Sequence, residues 1–318
     1  MATTIRFARV FATLCCALAL SGVAHAITNG MDDNNAHPYV GELLFYDPAE
    51  IDSRFTDAGA WFTCSGTLIS PTVVVTAGHC TFGIGKGGVS TSTCTSASGT
   101  SCGNDVWISF SEAPDYEGFP PSADYIPNNN AERYEARSDW LNLNSDWGRG
   151  TAYVHPEFAS GAFLLHDLGV VILSEPVYPG GYPGTFGVLP GLDYLDQFFA
   201  KRRNEQRFTP VGYGLTRSLP NLEEGGDTRE QGSVMLISLM GLGLPYGTVV
   251  SFSNNPGAAH RGGTCYGDSG GPVFDGASTT IVAVTSFGLG PNCTGFDGAY
   301  RIDQEDDLKF LSQFPPAD

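Results

Sequence analysis

Strand-length apolar runs, broken every few residues by Gly, Pro, Asn or Asp, recur along the whole chain, and this punctuation is what most limits its fold. Residues 66–70, 72–76, 106–110, 168–173, 234–239 and 281–286 are the clearest runs. Each is too short for an ordinary helix and is bounded by residues that favour turns. The 41 Gly and 20 Pro among 318 residues supply those turns. Long stretches of helical period are absent, which predicts an all-β protein, a sandwich or barrel. The tail is the exception: Leu308, Leu311 and Phe314 recur at helical spacing and predict one short C-terminal helix within residues 304–318. Residues 176–190, rich in Pro and Gly, predict a linker between two halves. Residues 81–150 are polar and irregular, and predict a long surface insertion.

The amino-terminal residues 1–26 have the three-part grammar of a secretory signal: Arg6 and Arg9, a mostly apolar run over 10–20, then Ala24-His25-Ala26. That run is shorter than the roughly 20 apolar residues that span a bilayer, so cleavage and export are expected, with no membrane attachment of the mature form. Losing the leader removes Cys15 and Cys16 and leaves Cys64, Cys80, Cys94, Cys102, Cys265 and Cys293. An even set in an exported chain predicts three disulfides, in any of 15 pairings as far as sequence goes. No C-x-x-C pair and no H-E-x-x-H occurs, so no zinc site is expected; no residue is assigned to a metal or cofactor, and the sequence leaves a calcium loop open. Losing Arg6 and Arg9 makes the formal charge of −18 still more negative. Such a surface repels nucleic acid and anionic membranes.

Three stretches carry chemistry: TAGHC ending at Cys80, HDLGVVIL from His166, and GDSGGP over 267–272. A serine hydroxyl is a poor nucleophile at neutral pH. It needs a base within hydrogen-bond reach, and that base needs a third group to fix its tautomer. His79, Asp167 and Ser269 supply one residue of each type. GDSGG also fits the nucleophile elbow of α/β-hydrolases, but that fold needs its histidine after the serine, and no histidine follows Ser269. An Asp-His-Ser order would leave HDLGVVIL unexplained.

With these residues the chain resembles the trypsin/chymotrypsin family of serine endopeptidases. The resemblance runs from ITNG at residue 27 through CSGTLISPTVVVTAGHC, VHPEF, HDLGVVIL, VGYG and GDSGGP to TSFG at 285–288. It implies two antiparallel β-barrels over 27–175 and 191–303. It also implies a base His79, an orienting Asp167, a nucleophile Ser269, and an oxyanion hole made by the N–H groups of Gly267 and Ser269. One such donor is worth about 2.7–4 kcal/mol of transition-state stabilisation. It implies the pairings Cys64 with Cys80 and Cys265 with Cys293, which leaves Cys94 for Cys102. His155 and His166 match no catalytic position and are expected to be structural, and His37 and His260 to be surface residues.

The same resemblance places Gly263, Thr264, Ser286, Gly288 and Gly298 around the substrate pocket. Trypsins carry an Asp where this chain has Gly263, so a large apolar or aromatic residue before the cut is expected. A slip of one residue would instead put Asp297 on the pocket wall and favour a basic residue. In the family a new amino terminus folds inward and pairs with the Asp preceding the nucleophile, here Ile27 with Asp268. The signal motif abuts Ile27, so one cut after Ala26 would both export and activate; a cut after Ala24 would leave two blocking residues. Expected partners are peptide or protein substrates and protein inhibitors, acting on a monomer. A catalytically inactive binding protein on the same fold is the alternative from another class.

Overall fold

The structure is a computed structural model of the full chain and describes residues 27–84, 103–158, 165–201, 206–219, 222–240, 247–255 and 262–315. The leader, Cys94, Cys102 and His260 lie outside the described residues.

The first half holds β1 (Met31–Asp32), β2 (Val40–Asp47), β3 (Ala60–Leu68), β4 (Val73–Thr76), the one-turn α1 (Gly78–Thr81), β5 (Gly103–Ser109), α2 (Asn130–Leu143), β6 (Gly148–Val154) and β7 (Gly169–Leu173). Strands β2 to β7 close a barrel in the order β2-β3-β4-β7-β6-β5. Side chains alternate across each strand, so one register serves two cores. Leu43 lies opposite Ile108, and both face the main core. The next pair along, Leu44 and Trp107, faces outward and packs with Leu141 of α2 and Trp147. Burying one such large apolar side chain contributes about 1.5–3 kcal/mol.

The second half holds α3 (Asp196–Lys201), β8 (Phe208–Gly212), β9 (Leu215–Leu219), β10 (Leu222–Gly225), β11 (Glu230–Gln231), β12 (Leu236–Ser238), β13 (Val249–Asn254), β14 (Pro272–Asp275), β15 (Ile281–Gly288), β16 (Gly295–Arg301) and α4 (Glu305–Leu311). Except for the β9–β10 hairpin, its seven strands join β1 of the first half in an eight-stranded sheet, β1-β11-β8-β14-β15-β16-β13-β12. Phe208 and Val234 exchange backbone hydrogen bonds of 3.0 and 2.9 Å, which brings the residue ahead of β12 back to β8 and curls this sheet on itself. The C-terminal helix forms where expected, with Phe310 and Leu311 buried.

Two expectations change. Residues 81–150 are not one surface insertion, because β5 and the first residues of β6 are barrel staves. The same segment also holds α2, a 14-residue helix. Its inward face is Asn130, Arg133, Arg137 and Leu141, a helical period written mostly in polar residues. Arg133 is fully buried, donates to Asp52 Oδ2 at 2.6 Å and to the Gly59 carbonyl at 2.8 Å, and stacks 3.8 Å from the Phe55 ring. Those contacts carry the desolvation of its guanidinium. His37 is not a surface residue either: it is 8% exposed, holds Asp33 Oδ1 at 2.5 Å and stacks on Phe274.

Candidate active site

Strand β4 ends at Thr76, and the single turn of α1 swings His79 out of the barrel wall. The Cys64–Cys80 disulfide ties that turn back to β3. Asp167, fully buried just ahead of β7, faces it from the neighbouring stave. Its carboxylate accepts the His79 backbone N–H at 2.8 Å, contacts His79 Nδ1 at 2.9 Å and accepts the Ser286 hydroxyl at 2.5 Å. A carboxylate only accepts, so the imidazole proton belongs on Nδ1, which leaves the Nε2 lone pair for a reacting proton. Burial lowers the His79 pKa, but the charge and hydrogen bond of Asp167 outweigh it, and the net shift is upward from 6.5.

Ser269 enters from the second half. Its carbonyl accepts the Ser65 N–H of β3 at 2.8 Å, which fastens the loop between β13 and β14 across the two halves. Gly267 has φ +97°, and a Cβ there would stand 2.9 Å from the Gly214 Cα, so both torsion and space call for glycine. Among the described residues, neither the Gly267 nor the Ser269 backbone N–H donates to a protein acceptor. Two such donors beside a nucleophile can stabilise an oxyanion.

A cavity of about 250 Å³ opens beside Ser269, lined by Thr264, Cys265, Ser286, Gly288 and Cys293 among others, with the Cys265–Cys293 disulfide in its wall. Three of the five expected pocket residues line it: Thr264, Ser286 and Gly288. Gly263 and Gly298 do not. A Cβ on Gly263 would meet Asp297 Oδ2 at 2.2 Å, and one on Gly298 would meet the Phe287 ring at the same distance. Asp297 lies under Thr264 and not on the wall of this cavity, 4% exposed, accepting from Thr264 N at 2.6 Å and Asn254 Nδ2 at 2.8 Å. Burial raises its pKa to about 6, against the lowering effect of those bonds.

The expected pairing of Ile27 with Asp268 belongs to the chain cut before Ile27. In the full chain the Ile27 nitrogen is a peptide amide, and it donates to Glu230 Oε2 at 3.1 Å. Asp268, fully buried, accepts instead from Gly214 N and Cys265 N, each at 2.8 Å.

His155, His166, Asp306 and Asp307 bring metal-ligating atoms within 4.8 Å of one another. His155 Nδ1 accepts the Glu157 N–H at 3.2 Å, so its proton stands on Nε2, the atom that faces Asp307 Oδ1 at 4.0 Å. In that tautomer it offers no lone pair to a cation. In the other histidine-containing group, Cys64 and Cys80 are consumed by their disulfide.

The family model described as Trypsin matches residues 141–303, just over half of the chain. The chain belongs to the trypsin family. No curated protein matches it significantly in sequence. Similar solved structures include HL collagenase, at 16% identity and TM-score 0.57, covering 90% of this chain and 97% of that one. They include the scabies mite inactivated protease paralogue S-I1, at 13% identity and TM-score 0.52, with the same coverages. They also include human heparin binding protein, at 18% identity and TM-score 0.51, covering 92% of this chain and all of that one. At these identities the likeness is one of fold.

Ser286 and Glu230 are the functional candidates that motif reading assigned differently or missed. Ser286 was expected in the pocket, and it also holds Asp167. Glu230 stands in TREQG, a stretch with no recognisable motif, and only the tertiary fold brings it to Ile27.

Proposed function

We propose that the chain is an exported serine endopeptidase that cuts peptide bonds through an acyl-enzyme on Ser269. His79 takes the serine proton through Nε2 and returns it to the leaving amine, and Asp167 holds the imidazole in the required tautomer. The N–H groups of Gly267 and Ser269 receive the oxyanion, and water then hydrolyses the ester by the same steps in reverse. The observation that carries this reading is the grip of the Asp167 carboxylate on both His79 N and Nδ1, with Ser286 closing the third side. Removal of the leader at Ile27 is the activating event.

The preferred residue before the cut is large and apolar or aromatic. A substrate cation in this cavity would be desolvated without a wall carboxylate to pair with, because Asp297 is spent on Thr264 and Asn254. Peptides differing only at that position test it: faster cleavage after Phe or Leu is expected, and faster cleavage after Arg would return the preference to Asp297. A second reading is an inactive binding protein, since the similar folds include an inactivated protease paralogue and a heparin binding protein. Reaction with a fluorophosphonate separates the two. An adduct on Ser269 is expected, and its absence from the protein beginning at Ile27 would favour the binding role.

A further inference from the structure

We propose that Arg54, Ser122 and Arg137 form a binding site for one small tetrahedral oxyanion, a sulfate or phosphate group, on the face of the first barrel where α2 packs. The site shares no residue with the triad or with the cavity beside Ser269, and it stands whether or not the chain is a protease.

Three guanidinium groups share one carboxylate here. Asp52, on the loop between β2 and β3, accepts from Arg54 Nε at 2.9 Å and Arg54 Nη2 at 2.8 Å, and Arg133 Nη1 reaches it at 2.6 Å. The Ser122 hydroxyl, in the short turn Ser122–Tyr125, then accepts from Arg133 Nη1 at 3.5 Å and from Arg137 Nη2 at 3.0 Å. Arg137 is the member left uncompensated. It is only 8% exposed, and its bonds go to neutral oxygens, Ser122 Oγ and the Pro120 carbonyl, the latter at 2.9 Å. Among the described residues no carboxylate pairs with it. The residues outside the described set hold only two acidic side chains, Glu205 and Asp318. Burial lowers the Arg137 pKa to about 10, with added repulsion from Arg133 and Arg54, so it is still a cation at neutral pH. A cation taken out of water without a counter-charge is costly, and folded proteins rarely bury one unpaired.

The donors that an anion needs are present and unspent. The Arg54 side chain is 54% exposed, and among the described residues neither Arg54 Nη1 nor Arg137 Nη1 donates to a protein acceptor. Ser122 uses its oxygen as an acceptor for both arginines, and its own proton goes to no acceptor among the described residues. These three donors come from separate segments, the β2–β3 loop, the turn and α2, so a ligand with acceptors on several sides suits them better than a planar carboxylate. Guanidinium forks match sulfate and phosphate oxygens, and such charge-assisted bonds are roughly twice as strong as neutral ones. The rest of the molecule sets the size of the ligand. With 34 acids against 16 Lys and Arg, the surface as a whole repels an extended polyanion. Three guanidiniums around one carboxylate are a local exception, and one small anion can occupy it without meeting the acids beyond. Bound there, it ties the loop, the turn and α2 to one another.

Equilibrium dialysis of the full chain against radiolabelled sulfate tests the assignment, at an ionic strength fixed with sodium chloride so that screening stays constant. One sulfate per chain is expected, displaced by phosphate and not by acetate. Arg54→Gln alters a half-exposed side chain and should weaken binding by at least about tenfold, as for the loss of one hydrogen bond to a charged group. Arg137→Gln should abolish it. Melting temperatures give a second reading. A ligand of the folded state raises the melting temperature along a saturation curve, whereas exclusion of sulfate from the protein surface stabilises every variant alike. Wild type and Arg137→Gln should therefore melt close together in chloride alone and separate as sulfate is added. The absence of saturable sulfate binding in the wild type overturns the proposal, and so does binding of equal strength in the wild type and both variants. Displacement by acetate as effective as that by phosphate would overturn the tetrahedral class. Dextran sulfate binding far more tightly per sulfate group than the free ion would overturn the restriction to one small anion and give the site to a polyanion.

Discussion

Ser286 places a hydroxyl on Asp167 Oδ2 at 2.5 Å, and its effect reaches the reaction through His79. A hydrogen bond to a charged group is worth about 1.5–3 kcal/mol, and this one spreads the Asp167 charge away from the imidazole. The His79 pKa is already raised, because Asp167 outweighs burial. In its proposed role as base His79 must be neutral, so kcat/KM should rise with pH through an acid limb above 6.5. As a matter of stability the sign is opposite. The His79–Asp167 pair contributes fully below the unfolded value of about 6.5 and is lost as pH rises through the folded one. Ser286→Ala leaves the carboxylate more negative and moves the acid limb higher. It also lowers kcat/KM by about tenfold on the plateau, from the loosened imidazole. Initial rates on one peptide across pH 5–9 check both. A plateau loss with an unmoved limb would confine Ser286 to shaping the cavity.

At the scale of elements, α2 rests on Arg133. Its guanidinium is fully buried against Asp52, the Gly59 carbonyl and the Phe55 ring, so Arg133→Ala leaves both a void and a less compensated carboxylate. A loss of about 3 kcal/mol is expected, read as a lower midpoint in urea. An unchanged midpoint would make the α2 packing incidental. The same residue explains what the sequence concealed. The strands were legible because Val, Ile and Leu carry their period openly: 72–76 and 281–286 lie in β4 and β15 with an offset of a residue or two. The period of α2 is just as regular, but it is written in Asn130, Arg133 and Arg137, which a search for apolar faces passes over. Its one visible signal was the cap, Asn129 accepting from Glu132 N three residues on. The candidate site divides the same way. His79, Asp167 and Ser269 stand in short motifs, whereas Glu230 meets Ile27 across 203 residues through strand pairing that no local pattern encodes.

Over the whole molecule, 34 acids face 16 Lys and Arg, and several of those acids are inside. Burial raises the Glu42 carboxyl to about 8 and Asp307 to about 8, the latter with added repulsion from Asp306. Burial also raises Asp268, and Asp297 to about 6. Unfolded, these groups titrate near 4. Between roughly pH 4 and 8 the folded chain therefore binds more protons than the unfolded one, and stability falls as pH rises through that window. On the acid side Asp52, held low by its bonds to Arg54 and Arg133 despite some burial, works in the opposite sense, and its contribution is lost as pH falls below about 4. The stability maximum should therefore lie near pH 4–5, below the neutral range. Glu42 tests this best: it is 1% exposed, and its Oε2 has no hydrogen-bond partner among the described residues. Glu42→Gln removes the ionisation and keeps the shape. Its melting temperature should match the wild type near pH 4 and exceed it by several degrees at pH 9, since each unit between folded and unfolded pKa amounts to about 1.36 kcal/mol. An offset that stays the same from pH 4 to 9 would mean that Glu42 acts by packing and that its buried charge does not shape the stability profile.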